Sequence, residues 1–361
     1  MNTKIPRIVI AGTGSGCGKT TITCAILQAL VNRKLCVSAQ KCGPDYIDSM
    51  FHCRIIGAKC SNLDSFFFDE NTLKYLLQKN SKDCDVSVIE GVMGFYDGIS
   101  MSSVKASTHE IAIITKSPVL LVVDAKGASR SVLAVIHGFL SFFPDNQICG
   151  VILNRCTLGT YNVLASEIEK RFENKVKPLG FLPTLSDCTV ESRHLGLVTA
   201  DEIKDLKNKL DILANQAEES IEIDELLRIA NNADVIETEE VIIPKFQEKV
   251  RIAVAKDNAF CFYYKDSINL LKEMGAEIIE FSPMSDATLP EGIHGMYFGG
   301  GYPELYKEKL SQNKTMLDSV KNALQNNMPC IAECGGFMYL TEYIEDLTMV
   351  GYLKGKCFAN K

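Results

Sequence analysis

Short β-branched runs alternate with helical patterns through the first 185 residues of the chain. The runs are Arg7–Ala11, Leu35–Ala39, Asp85–Ile89, Val119–Val123 and Gly150–Leu153. Mostly apolar strands separated by helices predict a parallel sheet covered on both faces. Between the first two runs, Ile22, Ala25, Ile26, Ala29 and Leu30 recur at helical spacing and predict a helix with one buried face. Ligands of such sheets bind beyond the carboxyl ends of the strands. From about Thr199 to Ala233 the pattern turns helical and charged. It ends in the polar stretch NNADVIETEEVIIPKFQEK, which contains Pro244 and reads as a linker. A second α/β series begins at Val250 with RIAVA, AEIIEF, GMYFGG and PCIAE. The expected organisation is a P-loop, doubly wound parallel sheet over 1–240, then an incomplete α/β domain over 249–361. Four strands make a short series, so the carboxyl-terminal part of the second domain is expected to be absent.

Composition narrows the partners. A chain of 361 residues is comfortable for two domains. A formal charge of −7, with no run of Lys and Arg, argues against a general nucleic-acid partner and leaves an anionic small ligand open. The opening MNTKIPRIVIAG runs straight into a strand with no secretory pattern, and no stretch is apolar for long enough to span a membrane. The fourteen cysteines include no CxxC pair, and Cys24, Cys149 and Cys330 sit in apolar runs. They read as reduced core residues of a cytoplasmic protein.

Arg7–Thr21 reads RIVIAGTGSGCGKTT: strand, glycine-rich turn, helix. Glycines allow the backbone to wrap phosphates, with N–H groups and the helix start aimed at the anion. Gly12, Thr13, Gly16, Gly18, Lys19, Thr20 and Thr21 are therefore candidate nucleotide-binding residues. Lys19 is placed to reach the terminal phosphates and Thr20 to ligate magnesium. The spacing GxxxxGK[ST] fails at its first glycine, where Thr13 stands. Asp45, Asp48, Glu90 and Asp97 lie just past strand ends that converge on this loop. Thr20 and Glu90 are metal candidates, with Asp45 able to join them. Asp48 reads equally well as a turn or helix cap.

The GTxxxxGKT loop resembles dethiobiotin synthetase and its relatives, which activate a carboxylate with ATP. Lys41 in KCGPDYID, Glu90 in EGVMGFYDG and Asn154 ending GVILN continue the likeness, and related folds place an adenine-reading amide at the position of Asn154. KCGPDYIDSMFH, EGVMGFYDG and ESRHLGLVTADE together resemble the signatures of the cobyrinate a,c-diamide synthase family, in the family's order and across essentially the whole chain. Cobyric acid synthases are relatives, but the Gln-Asn-Met segment after their second strand is missing here. The resemblance implies conversion of two acetate side chains of a cobyrinate-type corrinoid to amides with ATP, magnesium and glutamine. It also implies that Asp45 and Asp97 belong to the amidation site, and Tyr46 and Ile47 to a substrate-facing loop. Lys41, Arg54, Arg193 and His194 are candidate cationic contacts to a multiply carboxylated substrate.

PCIAECGGFMYL has a strand, Cys334 between small residues, and a helical pattern, and it resembles a nucleophile elbow. A helix start there would favour the Cys334 thiolate. Upstream, FGGGYPEL resembles the segment that supplies oxyanion-hole N–H groups in class I glutamine amidotransferases. One donor is expected from Gly300 or Gly301 and another from Gly335. A cysteine of this class needs a histidine base, and His52, His109, His137, His194 and His294 all precede Cys334. The family's histidine lies downstream of its nucleophile, so the expectation is that residues 1–361 do not hydrolyse glutamine efficiently while ammonia still serves. Three alternatives stay open: a diamide synthase for hydrogenobyrinate, one for nickel-sirohydrochlorin, and a P-loop ATPase switch of the chromosome-partitioning type. The switch would carry a second signature lysine where Gly14 and its neighbours stand. Homo-oligomerisation is also open.

Overall fold

The structure is a computed structural model that describes residues 2–173, 175–185, 188 and 200–358. It divides into two units, Met1–Val241 and Ile242–Lys361.

The first unit opens with a two-residue strand β1 (Asn2–Thr3), then β2 (Arg7–Gly12), α1 (Lys19–Asn32), β3 (Val37–Cys42), α2 (Tyr46–Phe51) and β4 (Lys59–Leu63). It continues through α3 (Glu70–Asn80), β5 (Val86–Glu90), α4 (Thr108–Ile114), β6 (Val119–Asp124), α5 (Ser131–Phe142), β7 (Ile148–Asn154), α6 (Leu158–Arg171) and β8 (Lys177–Leu182). Helices α7 (Ala200–Ser220) and α8 (Ile223–Asn231) and a last short strand β9 (Ile236–Glu237) complete it. Seven strands form one sheet in the order β4-β3-β5-β2-β6-β7-β8, and every pairing is parallel.

The side-chain period of two sorts the strands onto two cores. Ile8, Ile10, Val37, Ala39, Val86, Val88, Leu120 and Val122 face one cluster; Val9, Ala11, Ile89, Leu121 and Val123 face the other. α1 is buried almost all round, at Ile22, Cys24, Ala25, Ile26, Leu27, Ala29 and Leu30. The one-faced helix expected from sequence is thus wrapped on both sides. Leu210, Leu213 and Ala217 of α7 share its core cluster, which removes the solvent face.

Two strands escaped the hydrophobic pattern. β4 (KCSNL) is polar at three of its five positions, and β8 (KPLGFL) carries a proline and a glycine. The stretch read as a linker contributes β9, which pairs antiparallel with β1 as Asn2↔Glu237 and Thr3↔Ile236. Arg7 is fully buried and knots this region together. Its guanidinium donates to the carbonyls of Ile5 and Thr115 at 2.9 Å, Lys116 at 2.9 Å and Asp234 at 2.7 Å, and to Ser117 Oγ at 3.1 Å.

The second unit has a four-stranded parallel sheet. Its elements are β10 (Val250–Ala255), α9 (Lys265–Glu273), β11 (Ala276–Phe281), β12 (Gly295–Phe298), α10 (Lys307–Gln312), α11 (Lys314–Gln325), β13 (Cys330–Ala332) and α12 (Gly335–Leu340), with strand order β11-β10-β12-β13. After α12, β14 (Thr341–Ile344), β15 (Leu347–Thr348) and β16 (Leu353–Cys357) make a separate sheet in the order β15-β14-β16. The sequence reading stopped at four strands, because these three are short and interrupted by charges. Phe260, Phe298 and Tyr339 form the aromatic centre of this unit's core.

None of the fourteen cysteines, all of which are among the described residues, forms a disulfide. Among the described residues, no helix is long and apolar enough to cross a membrane.

Candidate active site

The carboxyl ends of β2, β3 and β5 carry the first constellation. After Gly12 the chain turns through Gly16 (φ 77°) and Gly18 (φ 98°) into α1, a path that side-chained residues rarely take. Space excludes a side chain at Gly18 as well, since a Cβ there would lie 1.9 Å from Asn154 Nδ2. Asn154, at the end of β7, donates to the Cys17 carbonyl at 2.9 Å and so braces the loop. Thr13 N–H donates to the Val122 carbonyl at 3.2 Å, and the Gly12 carbonyl accepts from Phe95 N–H at 2.8 Å. Lys19 Nζ donates to the Gly14 carbonyl at 3.1 Å and to the Met93 carbonyl. Gly16, Gly18, Lys19, Thr20, Thr21, Asn154, Arg155 and Leu182–Leu185 line a cleft of about 380 Å³ beside the loop.

Three acids meet one lysine at these strand ends. Lys41, only 3% exposed, donates from Nζ to Asp48 Oδ2 at 2.6 Å and lies 3.0 Å from Glu90 Oε1 and 3.6 Å from Asp45 Oδ2. Burial alone would lower its affinity for a proton; the charges of Glu90, Asp48 and Asp45 outweigh that and hold the ammonium above the ordinary lysine range. Burial also works against the Asp48 carboxylate, but Lys41 overcomes it and keeps Asp48 below the usual carboxylate range. Glu90 goes the other way: full burial pushes it up despite Lys41. Asp45 is raised by burial and then by the neighbouring Asp48 charge.

The Thr20 hydroxyl donates to Glu90 Oε1 at 2.7 Å and lies 3.3 Å from Asp48 Oδ2. Hydroxyl and carboxylate oxygens therefore converge one residue past Lys19. Magnesium takes oxygen ligands, usually one or two carboxylates together with substrate phosphates, and this donor set fits it. Among the described residues, no group of three or more His, Cys, Asp or Glu side chains could hold a metal alone, so phosphate oxygens would have to complete the shell.

Sequence reasoning ranked Asp45 above Asp48; both approach Lys41, Asp48 at 2.6 Å and Asp45 at 3.6 Å. Asp45 is the N-cap of α2 and accepts from Asp48 N–H at 3.1 Å, while the Asp48 side chain enters the cluster. The signal was present in DYID, three residues apart on one helical turn. Asp97 caps its own turn, accepting from Gly94 N–H at 2.8 Å. Among the described residues, no hydrogen bond or ion pair joins it to Lys41. Tyr46 opens α2 and is half-buried; Ile47 packs partly against the first core cluster; Arg54 is exposed. Arg193 and His194 lie outside the described residues. His52 was not singled out, yet it is 1% exposed and its Nε2 lies 3.3 Å from Glu90 Oε2. Burial pushes this imidazole down to about 4, so it is neutral.

The second unit carries its own constellation. Cys334 is exposed, sits between β13 and α12, and has φ 49° and ψ −108°. A side-chained residue held at positive φ stores about 1–3 kcal/mol, a strain found at nucleophile elbows. Flanking bonds hold the turn: Glu333 N–H donates to the Phe298 carbonyl and Gly336 N–H to the Gly299 carbonyl, both at 2.9 Å. A Cβ on Gly335 would lie 3.2 Å from Gly301 N, so the two backbone amides are neighbours. Gly301 has φ 155°, and a Cβ there would come within 2.1 Å of the Ala259 carbonyl oxygen. The Gly300 carbonyl accepts from Cys261 N–H and Phe262 N–H at 3.0 Å each, which fixes the segment beside the cysteine. His294, the one histidine of this unit, precedes β12 and accepts from Arg251 N–H at 3.0 Å, at the opposite end of the strands from Cys334.

Comparison with known proteins bears on both units. Residues 8–198 match the CobQ/CobB/MinD/ParA nucleotide binding domain, and residues 251–356 match the CobB/CobQ-like glutamine amidotransferase domain. A P-loop nucleotide-binding unit joined to a glutamine amidotransferase unit defines a glutamine-dependent, amide-forming ligase. The cobyrinate a,c-diamide synthase of Clostridium acetobutylicum is 43% identical over 98% of this chain and 79% of its own length. That of Methanocaldococcus jannaschii is 43% identical over 96% of this chain and 77% of its own, and that of Priestia megaterium 39% over 97% and 77%. The chain belongs to the cobyrinate a,c-diamide synthase family.

Proposed function

We propose that this protein uses ATP to amidate the a and c acetate carboxylates of a cobyrinate-type corrinoid, with glutamine or free ammonia as nitrogen source. The observation that carries the reading is the meeting of Thr20, Asp48 and Glu90 oxygens around Lys41, beside the phosphate loop and Lys19. A substrate carboxylate oxygen attacks the γ-phosphorus of ATP, the bond to the β-phosphate oxygen breaks, and ADP leaves with that electron pair. The acyl phosphate then reacts with ammonia: a C–N bond forms, inorganic phosphate departs, and nitrogen loses a proton.

Such transfer needs positioning and charge neutralisation more than covalent help from the protein. The loop amides from Gly14 to Gly18 cradle the phosphates, and Lys19 exchanges carbonyl partners for phosphate oxygens. Magnesium, when bound, would be held by Thr20 and Glu90 with Asp45 or Asp48 nearby and would neutralise charge on the phosphates. Lys41 keeps Asp48 ionised and oriented, and Asn154 fixes the nucleotide side of the loop. Asp97, Tyr46 and Ile47 are assigned to the corrinoid side.

At Cys334 the thiolate attacks the glutamine carboxamide carbon, and Gly301 and Gly335 N–H groups receive the oxyanion; its collapse breaks the C–N bond and releases ammonia with a proton taken from water, and water then hydrolyses the glutamyl thioester to glutamate and the free thiolate. The test is ATP-dependent amide formation by the Lys19→Ala variant with ammonium as donor, read by mass spectrometry of the corrinoid. Loss of both amides with an unchanged melting profile is expected; wild-type rates would overturn the site. Offering hydrogenobyrinate and nickel-sirohydrochlorin in parallel settles which tetrapyrrole is preferred.

A further inference from the structure

Away from both constellations, the amino ends of β3 and β5 bring two thiols together. Cys36 precedes β3 and Cys84 precedes β5, and their sulfurs lie 3.5 Å apart although the residues are 48 positions apart in the chain. Neither residue is fully buried. The backbone fixes both. Asp85 N–H donates to the Cys36 carbonyl at 2.8 Å, and Cys36 N–H donates to Asp85 Oδ2 at 2.6 Å. The β3–β5 pairing that begins at Val37↔Val86 thus extends one residue further toward the thiols. Cys84 N–H donates to the Ser81 carbonyl at 3.1 Å, which ties its turn to the end of α3. Strand spacing and one residue of rise set such Cα atoms about 5–6 Å apart, a separation that a disulfide spans.

Cys84 also lines a cavity of about 720 Å³, together with Lys4, Lys79, Lys82, Glu239 and Glu240. That volume admits a molecule of tripeptide size, and the mixed charges of the wall suit one that carries both carboxylates and an ammonium. Burial and then the Cys36 contact push the Cys84 thiol up to about 11, with the Lys59 ammonium pulling the other way. Little thiolate is present at neutral pH, so exchange at this sulfur is slow.

We infer that Cys36 and Cys84 form a reversible dithiol site, which a small-molecule disulfide of the glutathione type closes into a cross-link between β3 and β5. The Cys84 thiolate, at the cavity wall, attacks one sulfur of that disulfide; the S–S bond breaks and one small thiolate leaves with the electron pair. The Cys36 thiol then loses its proton to water and attacks the Cys84 sulfur, and the second small thiolate leaves. The two protein thiols give up two electrons, and their protons pass through water to the two small thiolates. The cross-link anchors the amino ends of the two strands whose carboxyl ends carry Lys41 and Glu90. It stands independently of the amidation reading.

The experiment incubates the reduced, folded full chain with oxidised glutathione for hours at mildly alkaline pH. Remaining thiols are blocked with N-ethylmaleimide and the peptides mapped by mass spectrometry, with the exposed Cys53 and Cys334 as the measure of general thiol exchange. A linked Cys36–Cys84 peptide is expected in wild type. The Cys36→Ser variant should instead retain glutathione on Cys84, because the second attacking thiol is gone. By calorimetry the first unit of linked wild type should melt about 4–16 °C higher than in the Cys36→Ser protein treated the same way, since the cross-link restricts the unfolded chain. Dithiothreitol should reverse the gain. Should the serine variant not fold, the wild-type map and its melting before and after dithiothreitol decide the matter. Cys36 and Cys84 left unlinked, with glutathione on Cys53 and Cys334, would overturn the site. So would a glutathione adduct that persists on Cys84 in wild type, or a linked species that melts no higher than the reduced one.

Discussion

Replacing Lys41 by methionine keeps the length of the side chain and removes its charge from among three acids. Asp48 and Glu90 would then face each other across buried space, having lost an ammonium at 2.6 and 3.0 Å. Breaking a buried ion pair by deleting one partner costs about 3–5 kcal/mol, because the remaining charge is left uncompensated. For a unit of this size that corresponds to a loss of about 6–20 °C in melting temperature. The sequence has no tryptophan, so far-UV circular dichroism and calorimetry are the better probes. Calorimetry also separates the transition of the first unit from that of the second. Adding Asp48→Asn to Lys41→Met removes the nearest orphaned charge and is expected to restore about 1–3 kcal/mol. In the wild-type background the same Asp48→Asn change should destabilise instead, by removing the closest counter-charge of Lys41. A Lys41→Met protein that melts within a degree or two of wild type would refute the reasoning, as would a double variant no more stable than the single one.

Gly18→Ala forces a Cβ to within 1.9 Å of the Asn154 amide at φ 98°; nucleotide affinity is expected to fall by at least about tenfold, measured by equilibrium binding. Cys334→Ala should abolish any glutamine-supported amidation while ammonium-supported amidation is retained, compared on the same corrinoid. Gly301→Ala, whose Cβ meets the Ala259 carbonyl at 2.1 Å, should reduce thioester formation from labelled glutamine by about 10²–10³-fold without slowing ammonium-supported turnover. Arg7→Met, which strips five hydrogen bonds from a buried guanidinium, is expected to cost about 3–5 kcal/mol with nucleotide affinity unchanged in the folded fraction, checked by denaturant unfolding.

Strands buried on both faces announce themselves in sequence, which is why β2, β3, β5, β6 and β7 were legible from their apolar runs alone. β4 was not, because it is an edge strand with a polar run, whose Asn62 spends its polar atoms on local structure. Asn62 Nδ2 donates to the carbonyls of Gly43 and Asp45 at 2.9 and 3.1 Å. The phosphate loop was legible because glycine at positive φ leaves a compositional mark. Cluster membership was harder. Asp45 and Asp48 both follow the end of β3, and only the turn of α2 makes Asp45 the cap, 3.6 Å from Lys41, and brings Asp48 to within 2.6 Å of it. His52 left no signal at all, since the π-helical turn it opens over His52–Ile56 has no residue pattern of its own and a buried histidine in sequence looks like any other.

The pairing of Asn2–Thr3 with Ile236–Glu237 brings the start and finish of the first unit side by side. Arg7 reinforces the closure by reaching the Asp234 carbonyl. A fold whose two ends meet at one small seam behaves as a cassette. It can be spliced into a loop of another protein without pulling its strands apart, or be reopened at a different surface turn with its old ends joined by a few residues. The same seam offers a place to attach a reporter or a tether at the amino-terminal edge of the sheet. The nucleotide loop emerges from the opposite edge, so such a graft would leave phosphate access free.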